Sequence, residues 1–561
     1  MKNNTLSPPP SPTTAAASAA QPDSTYEQAC MAIAERLAAA TAADDGKSSS
    51  SSPLSVADVR RLAREAASEY RLATMPANED ILRYLAKDSG YRRLLMVKPA
   101  KTASGVAVIA VMPKPYECPH GRCIYCPGGI EVNTPLSYTG TEPATRAAQK
   151  FDYDPFMQVS SKLEQLQARG HDTGKSEIVL VGGTFPFMPA GYQREFAKSC
   201  YDALNGFRSP TLQEAMAANE TAANRCVGFT IETKPDYCKE PHVDLMLELG
   251  ATRVEIGVQS LRDDVYRAVN RGHTLADVRD AFRVARDAGY KIVAHMMPGM
   301  PRSSPEQDIE DFRTLFGDPS FRPDMLKVYP TLVLKGTGLY KLYEGGAYRA
   351  YSDDDLANVL VEMKKIVPPY VRIMRVQREI EAGDIAAGPK SGNLRQLVLA
   401  RLHAQGRRCR CIRCREAGLQ KRYPAPEDVV MRRQDYDASG GKEVFLSFES
   451  RDSDTILGFL RLRHVRRSHR PELAGGNSAI VRELHVYGQV VNVGSKSDGP
   501  MMVSYQHRGY GMKLMQEAER IAREELGAGK IAVISAVGTR EYYKKQLGGY
   551  RQDGPYVSKV L

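Results

Sequence analysis

Between residues 105 and 375 short apolar runs alternate with longer amphipathic segments, with no internal sequence repeat. The runs fall at 106–111, 178–181, 227–231, 254–258, 292–294 and 325–329, with a seventh candidate at 371–374. Helix candidates lie between them at 144–169, 275–288 and 305–316. Short continuous apolar runs bury both faces, as parallel strands covered by helices do. The expected fold class is therefore α/β, built on a partial (β/α)6 barrel. Chemistry in such barrels sits at the C-terminal ends of the strands.

The remaining chain divides by composition. Residues 1–54 are rich in Pro, Ser, Thr and Ala and are expected to be a disordered tail. Residues 55–100 read as a short helical, basic region. Val56, Val59, Leu62, Ala66 and Tyr70 recur at helical spacing, and Arg60, Arg61 and Arg64 take the other face. The barrel is assigned to 101–388 and a basic, Cys-rich linker to 389–440. After 441 hairpin-like strands at 443–449, 455–463 and 479–487, a helix at 512–525 and a buried strand at 531–535 predict a separate α/β domain reaching 561.

Six of the ten cysteines form two tight clusters, the pattern of metal binding rather than of disulfides. Cys118, Cys123 and Cys126 follow the first strand with C-x4-C-x2-C spacing. A cubane 4Fe–4S cluster normally takes four ligands. Three thiolates leave one iron open to a chelating molecule, the requirement of radical-SAM chemistry, in which S-adenosylmethionine binds that iron. The competing reading is a zinc site completed by His120. Gly182 and Gly183 end the second strand, where bare backbone could approach the methionyl amine. Glu232 and Gln259 lie at the ends of the next two strands, as cofactor contacts or as structural hydrogen-bonders.

Gln506, Gly509, Tyr510 and Gly511 open the helix at 512–525 in the Q-x-x-G-x-G pattern of the GNAT acetyltransferase fold. Glycines there let backbone N–H groups meet the pyrophosphate of coenzyme A at a helix N-terminus. The preceding strand residues Glu483, Leu484, His485 and Val486 are spaced to line the pantetheine arm, with His485 named only as lining. Tyr542 and Tyr543 follow the next strand, where one phenol could protonate the leaving thiolate and the other pack.

Cys409, Cys411 and Cys414 suit a structural zinc, with His403 and His464 as candidates for the fourth ligand. Basic residues cluster around them (Arg401 to Arg433), again at Arg461, Arg463, Arg466, Arg467 and Arg470, and near Arg60 to Lys101. With a net charge of +11 and a pI near 9.0, this is the footprint of phosphate contacts to a folded RNA. No apolar run reaches the ~18–20 residues of a membrane helix, so no membrane partner and a cytoplasmic location are expected.

Together these segments resemble the Elongator catalytic-subunit family. The resemblance rests on SGVAVIAVMPKP at 104–115, CPHGRCIYCPGG at 118–129, VGGTF at 181–185, IETKPDYC at 231–238, GVQS at 257–260 and Asn270 to Thr274. It continues in RELHVYG at 482–488, QHRGYG at 506–511, AVISAVG at 532–538 and GPYVSK at 554–559. It implies a tRNA uridine(34) acetyltransferase, or carboxymethyl transferase, acting on the wobble uridine of the anticodon stem-loop. Acetyl-CoA supplies the two-carbon unit, and a 5′-deoxyadenosyl radical abstracts hydrogen from its methyl group. The resemblance also makes Lys175 an acetyl-CoA contact. The x4 cysteine spacing resembles bacterial and archaeal members. Further Elongator subunits, a homodimer and the choice between Tyr542 and Tyr543 are left open by the residues. The competing function is a lysine acetyltransferase acting on proteins, which a basic surface disfavours by repelling Lys-rich substrates.

Overall fold

The computed structural model describes residues 24–44, 54–86, 89–102, 104–422, 424–487 and 509–561. The chain forms two compact units, residues 1–98 with 167–171, and residues 99–166 with 172–561.

The first unit is helical. The helix Val56–Glu69 starts at Ser55, whose hydroxyl accepts from the Asp58 N–H while the Asp58 carboxylate accepts from the Ser55 N–H. It buries Val59, Ala63 and Ala66 in a cluster shared with Ile81, Leu82 and Leu95. A further helix, Thr25–Asp44, adds Ala29, Cys30, Ile33 and Leu37 to that cluster. The expected disordered tail over 1–54 is thus corrected at 25–44. Positions 29, 33 and 37 fall one turn apart on a single face, a stripe hidden by the Ala- and Ser-rich composition around it. The rest of that tail lies outside the described residues.

The second unit begins with a seven-stranded parallel sheet. Its strands are β1 (Ala107–Val111), β2 (Lys175–Leu180), β3 (Arg225–Thr233), β4 (Arg253–Gln259), β5 (Lys291–Met296), β6 (Met325–Val328) and β7 (Arg372–Arg375), paired in chain order. Each expected apolar run is a strand, the seventh included. β1 and β7 remain edges, so the sheet is a half-barrel. The helix expected over 144–169 is two, Pro143–Lys150 and Pro155–Ala168. Asp152 and Tyr153 take positive φ between them, and Pro155 cannot continue a helix begun before it.

A second sheet follows, with strands β8 (Val429–Ala438), β9 (Gly441–Ser450), β10 (Ile456–Val465), β11 (Ser478–Val486), β12 (Lys530–Val533), β13 (Arg551–Asp553) and β14 (Tyr556–Val560). Its order is β8-β9-β10-β11-β12-β14-β13. The expected linker at 389–440 is corrected at both ends. The helix Leu394–Ala404 buries Leu394, Val398 and Leu402 in the barrel's core, and β8 already belongs to the second sheet. As an edge strand β8 exposes Met431, Arg432 and Arg433, and this polar run conceals it in the sequence.

The two sheets share one apolar core, in which Phe445, Phe459 and Ile480 join Tyr290, Ile292 and Leu326. They also share a buried ionic network. Arg482 donates to both carboxylate oxygens of Asp324 (2.7 and 2.7 Å) and to Glu443 (2.7 Å). Arg463 joins Asp287 to Glu443, and Arg461 joins Glu483 to Asp324. Arg461 and Arg463 therefore leave the set of expected RNA contacts, because both are fully buried in pairs. Arg415 leaves it too, held by Glu449 and Asp454. No helix of the described residues is long and apolar enough to cross a membrane.

Replacing Asp324 by Ala takes a buried carboxylate partner from both Arg482 and Arg461, leaving them only Glu443 and Glu483. Breaking one partner of a buried pair typically costs ~3–5 kcal/mol. Denaturant unfolding of the Asp324→Ala protein should show a loss of that size, and a loss below ~1 kcal/mol would contradict the network's role.

Candidate active site

The loop after β1 carries Cys118, Cys123 and Cys126, with Cys123 and Cys126 buried and Cys118 half-buried. The loop is fixed by its backbone. The Ile124 N–H donates to Val269 (3.2 Å), the Leu339 N–H donates to Ile124 (2.8 Å), and Asn270 Nδ2 donates to the Arg122 carbonyl (3.0 Å). Arg271 donates to the Cys123 sulfur (3.8 Å) and to the Gly257 carbonyl (2.9 Å).

His120 decides between the two readings of this cluster. Lys234 Nζ, which can only donate, lies 2.9 Å from His120 Nδ1. Nδ1 must accept, so Nε2 carries the proton and donates to the Cys123 sulfur at 3.2 Å. His120 is thereby placed to donate to the Cys123 sulfur, an arrangement that suits the cluster better than a zinc site completed by His120. The Cys126 thiol, His120 and Arg271 together hold the Cys123 thiol well below its ordinary range. Three cysteines, one of them readily ionised and flanked by cations, fit a 4Fe–4S cluster with an open iron.

The strand ends beside this loop are bare or polar. Gly182 and Gly183 have φ of +115° and +117°. A Cβ on Gly182 would lie 3.0 Å from Met112 Cγ and 3.4 Å from Pro135, so this positive-φ turn has little room for a side chain. The Gly182 N–H donates to Glu232 (3.3 Å), whose carboxyl is raised by burial. Gln259 ends β4 with φ +74°. The structure brings Gly182, Glu232, Gln259 and Cys126 to one end of the half-barrel.

Below them the bore is charged, which the sequence reading missed. The carboxylate of Glu255 accepts from His295 (2.8 Å) and from Lys327. Burial alone would raise this carboxyl, but the Lys327 charge and the hydrogen bond from His295 outweigh it and hold it low. Glu177 pairs with Arg253 beside it. The signal was available, since Glu255, His295 and Lys327 are charged or titratable residues inside otherwise apolar strands. At the opposite end of the strands lie Lys175 and Lys291, each pushed down to about 8 by burial.

The second sheet contributes the other half of the site. β11 and β12 pair in parallel from Ser478↔Lys530 to Val481↔Val533, and β11 then runs on to Val486 beyond the end of β12. Glu483, Leu484, His485 and Val486 line a cavity there. Gly509, at φ +81°, caps the helix Tyr510–Arg520 without a side-chain bond, and a Cβ on Gly511 would sit 2.9 Å from the Tyr542 hydroxyl. A parted pair of parallel strands above an uncapped helix N-terminus fits a pantetheine arm and its pyrophosphate. Tyr543 is buried in the core beside Tyr550, whereas Tyr542 turns its hydroxyl toward Gly511. Gln506 lies outside the described residues.

One cavity of about 820 Å³ joins these parts. Cys126, Glu232 and Gln259 line it at one end, and His485, Gly511 and Tyr542 at the other. Away from it, the sulfurs of Cys409, Cys411 and Cys414 lie within 4.8 Å of one another, close enough for ~2.3 Å bonds to one zinc. Neither His403 nor His464 joins that group; Lys364 Nζ donates to Cys409 instead (3.7 Å).

The chain matches the Radical SAM superfamily over residues 113–315, the Radical_SAM C-terminal domain over 323–404 and the ELP3 N-terminal domain over 26–103. Elongator complex protein 3 of Homo sapiens is 48% identical over 520 residues, covering 90% of this chain and 93% of the relative. The chain belongs to the Elongator complex protein 3 family. That membership, with the radical SAM match, implies a 4Fe–4S cluster and S-adenosylmethionine. The tRNA uridine(34) acetyltransferase of Methanocaldococcus infernus is 44% identical over 515 residues, covering 90% of this chain and 95% of the relative. The solved archaeal Elp3 of that organism, lacking residues 1–46, superposes with a TM-score of 0.72 at 42% identity, covering 82% of this chain and all of that one.

Metal analysis should separate the two clusters. Replacing Cys118, Cys123 and Cys126 by Ala should abolish reconstituted iron while leaving zinc, and replacing Cys409, Cys411 and Cys414 should do the reverse. His120→Ala should keep the iron and shift its reduction potential. Loss of iron from His120→Ala would make His120 a ligand after all.

Proposed function

We propose that this protein is a tRNA uridine(34) acetyltransferase of the carboxymethylating kind, which joins the acetyl unit of acetyl-CoA to C5 of the wobble uridine. The observation that carries this is the single cavity with the cysteine loop at one end and the Gly511–Tyr542 pocket at the other. An acetyltransferase with a merely structural iron site would have no reason to open both into one space. The name of the archaeal relative supports the substrate.

In this reading Cys118, Cys123 and Cys126 hold the 4Fe–4S cluster, and Arg271 and His120 stabilise the charge on their sulfurs. Together with S-adenosylmethionine, that cluster supplies a carbon radical able to take hydrogen from a methyl group. The backbone of Gly182 and Gly183 receives the methionyl amine, with Glu232 and Gln259 beside it. The second sheet is a GNAT domain. Glu483 to Val486 line the pantetheine arm, Gly509, Tyr510 and Gly511 meet the pyrophosphate, and Lys175 contacts the acetyl end. Both tyrosines line the cavity, and Tyr542 is the acid that protonates the thiolate, since its hydroxyl lies against Gly511 at the helix N-terminus while Tyr543 is buried in the core beside Tyr550.

Zinc held by Cys409, Cys411 and Cys414 braces the segment between the sheets. Exposed Arg407, Arg408, Arg466 and Arg467 remain available for tRNA phosphates after the buried arginines are removed from the set. The relatives' name, Elongator complex protein 3, supports further subunits as partners.

Acetyl-CoA hydrolysis measured with tRNA, with Lys-rich peptides and alone tests the substrate. Stimulation by tRNA only is expected; acetylation of the peptides would favour a protein acetyltransferase. Tyr542→Phe should lower turnover by ~10²-fold or more, as loss of a positioned acid does. Tyr543→Phe should leave turnover near the starting value, and equal losses from both would contradict the assignment.

A further inference from the structure

We propose that the bore of the half-barrel is the passage for the acyl-bearing arm of acetyl-CoA, which enters at the N-terminal mouth and presents its acetyl methyl at the C-terminal mouth. This rests on the function proposed above and adds the route on which that function depends.

The first observation is the polarity of docking. The second sheet sits against the N-terminal ends of the barrel strands. Arg482 reaches the Tyr290 carbonyl and Asp324, just before β5 and β6, and Gly538 packs against Arg225 and Cys226 at the start of β3. The cysteine loop follows the opposite, C-terminal end of β1. The two chemistries are thus separated by the length of the strands. For β4, seven residues from Arg253 to Gln259, that length is about 20 Å at ~3.3 Å per residue. Reacting atoms must come within ~3–3.5 Å. A bound acetyl group therefore has to travel, either through the barrel or around it.

The second observation is that the way through is open. The cavity is continuous from Lys175 and Arg253 at the lower mouth, past Val179 and Thr230, to Gln259 and Cys126 at the upper mouth. The third is a set of buried polar atoms along it that lack hydrogen-bond partners: His485 Nε2 and Gln259 Oε1, with Arg253 Nε and Glu255 Oε1 meeting only each other at 4.0 Å. Arg253 and Glu255 are more than nine-tenths buried. Native interiors seldom leave such atoms unmatched unless a ligand or water meets them. Spread along a bore, they suit an extended ligand with polar groups at intervals. A pantetheine arm has that chemistry, with two amides and a thioester on a flexible chain. The Glu255–His295–Lys327 group would then lie beside the thioester as it passes, with the His295 and Lys327 donors near its carbonyl oxygen.

Val179 offers a plug. It faces the bore near the upper end of β2, level with Ala110 of β1 and Thr230 of β3, and is itself none of the residues assigned to either cofactor. In Val179→Phe, coenzyme A binding and reductive cleavage of S-adenosylmethionine should each stay within about twofold of the starting protein. Modified uridine in tRNA should fall by at least tenfold, and Val179→Ala should retain product. Product at the starting rate from Val179→Phe with both cofactors bound would overturn the passage. Absence of modified uridine from the unaltered protein would instead overturn the proposed function. Should the Phe variant not fold, a coenzyme A thioester carrying a photoreactive acyl group keeps the question decidable in the unaltered protein. Labels on Val179, Met297 or Met325 are expected; labels confined to outer-surface residues would overturn the proposal.

Discussion

The placement of the two sheets depends on Arg482. Its guanidinium, fully buried, closes a fork on both oxygens of Asp324 and turns its remaining donors to Glu443 and the Tyr290 carbonyl. Burying ions is expensive, and a well-packed apolar interface of the same size would often be as stable. What the network adds is orientation. A planar fork on a carboxylate admits one geometry, and Arg463, with two donors on one oxygen of Asp287, and Arg461, donating to the Asp324 and Tyr370 carbonyls, add further ties between the sheets. An apolar core alone would let the second sheet slide; with these ties, the parted strands β11 and β12 are held against the mouth of the half-barrel.

That placement gives the bore its character. The half-barrel leaves β1 and β7 unpaired with each other, and its inward positions carry Glu177, Glu232, Glu255, His295 and Lys327 where a closed barrel would pack aliphatic layers. Most of the charges are paired internally, with Lys327 on Glu255 and Arg253 on Glu177, and His295 hydrogen-bonds Glu255. The interior is therefore polar along its length. At the lower mouth, burial pushes Lys175 and Lys291 down to about 8, so both remain mostly protonated at neutral pH yet can lose a proton at little cost.

Much of this was legible in the sequence because it rests on local signals. Apolar runs marked the seven parallel strands, and cysteine spacing marked both sulfur clusters. The elements missed were those whose signal is masked by composition. The helix Thr25–Asp44 sets its Ile33 and Leu37 stripe among alanines, and β8 is an edge strand dressed in charges. Arginines misled most. Arg461, Arg463 and Arg415 look like an RNA-binding surface in the sequence, but each faces a carboxylate from a distant segment, which only the fold brings near. Among the site residues, the choice between Tyr542 and Tyr543 needed the packing of Tyr550 and Gly511, and the role of His120 needed Lys234 on its far side.

The central claim is that the two ends of the cavity serve one reaction on one acetyl group. Acetyl-CoA deuterated in its methyl group, supplied with S-adenosylmethionine, a reductant and tRNA under anaerobic conditions, tests it directly. The account predicts deuterium in the 5′-deoxyadenosine formed and in the group attached to the uridine. Deoxyadenosine free of deuterium, alongside hydrolysis of the thioester, would show two independent chemistries sharing one chain.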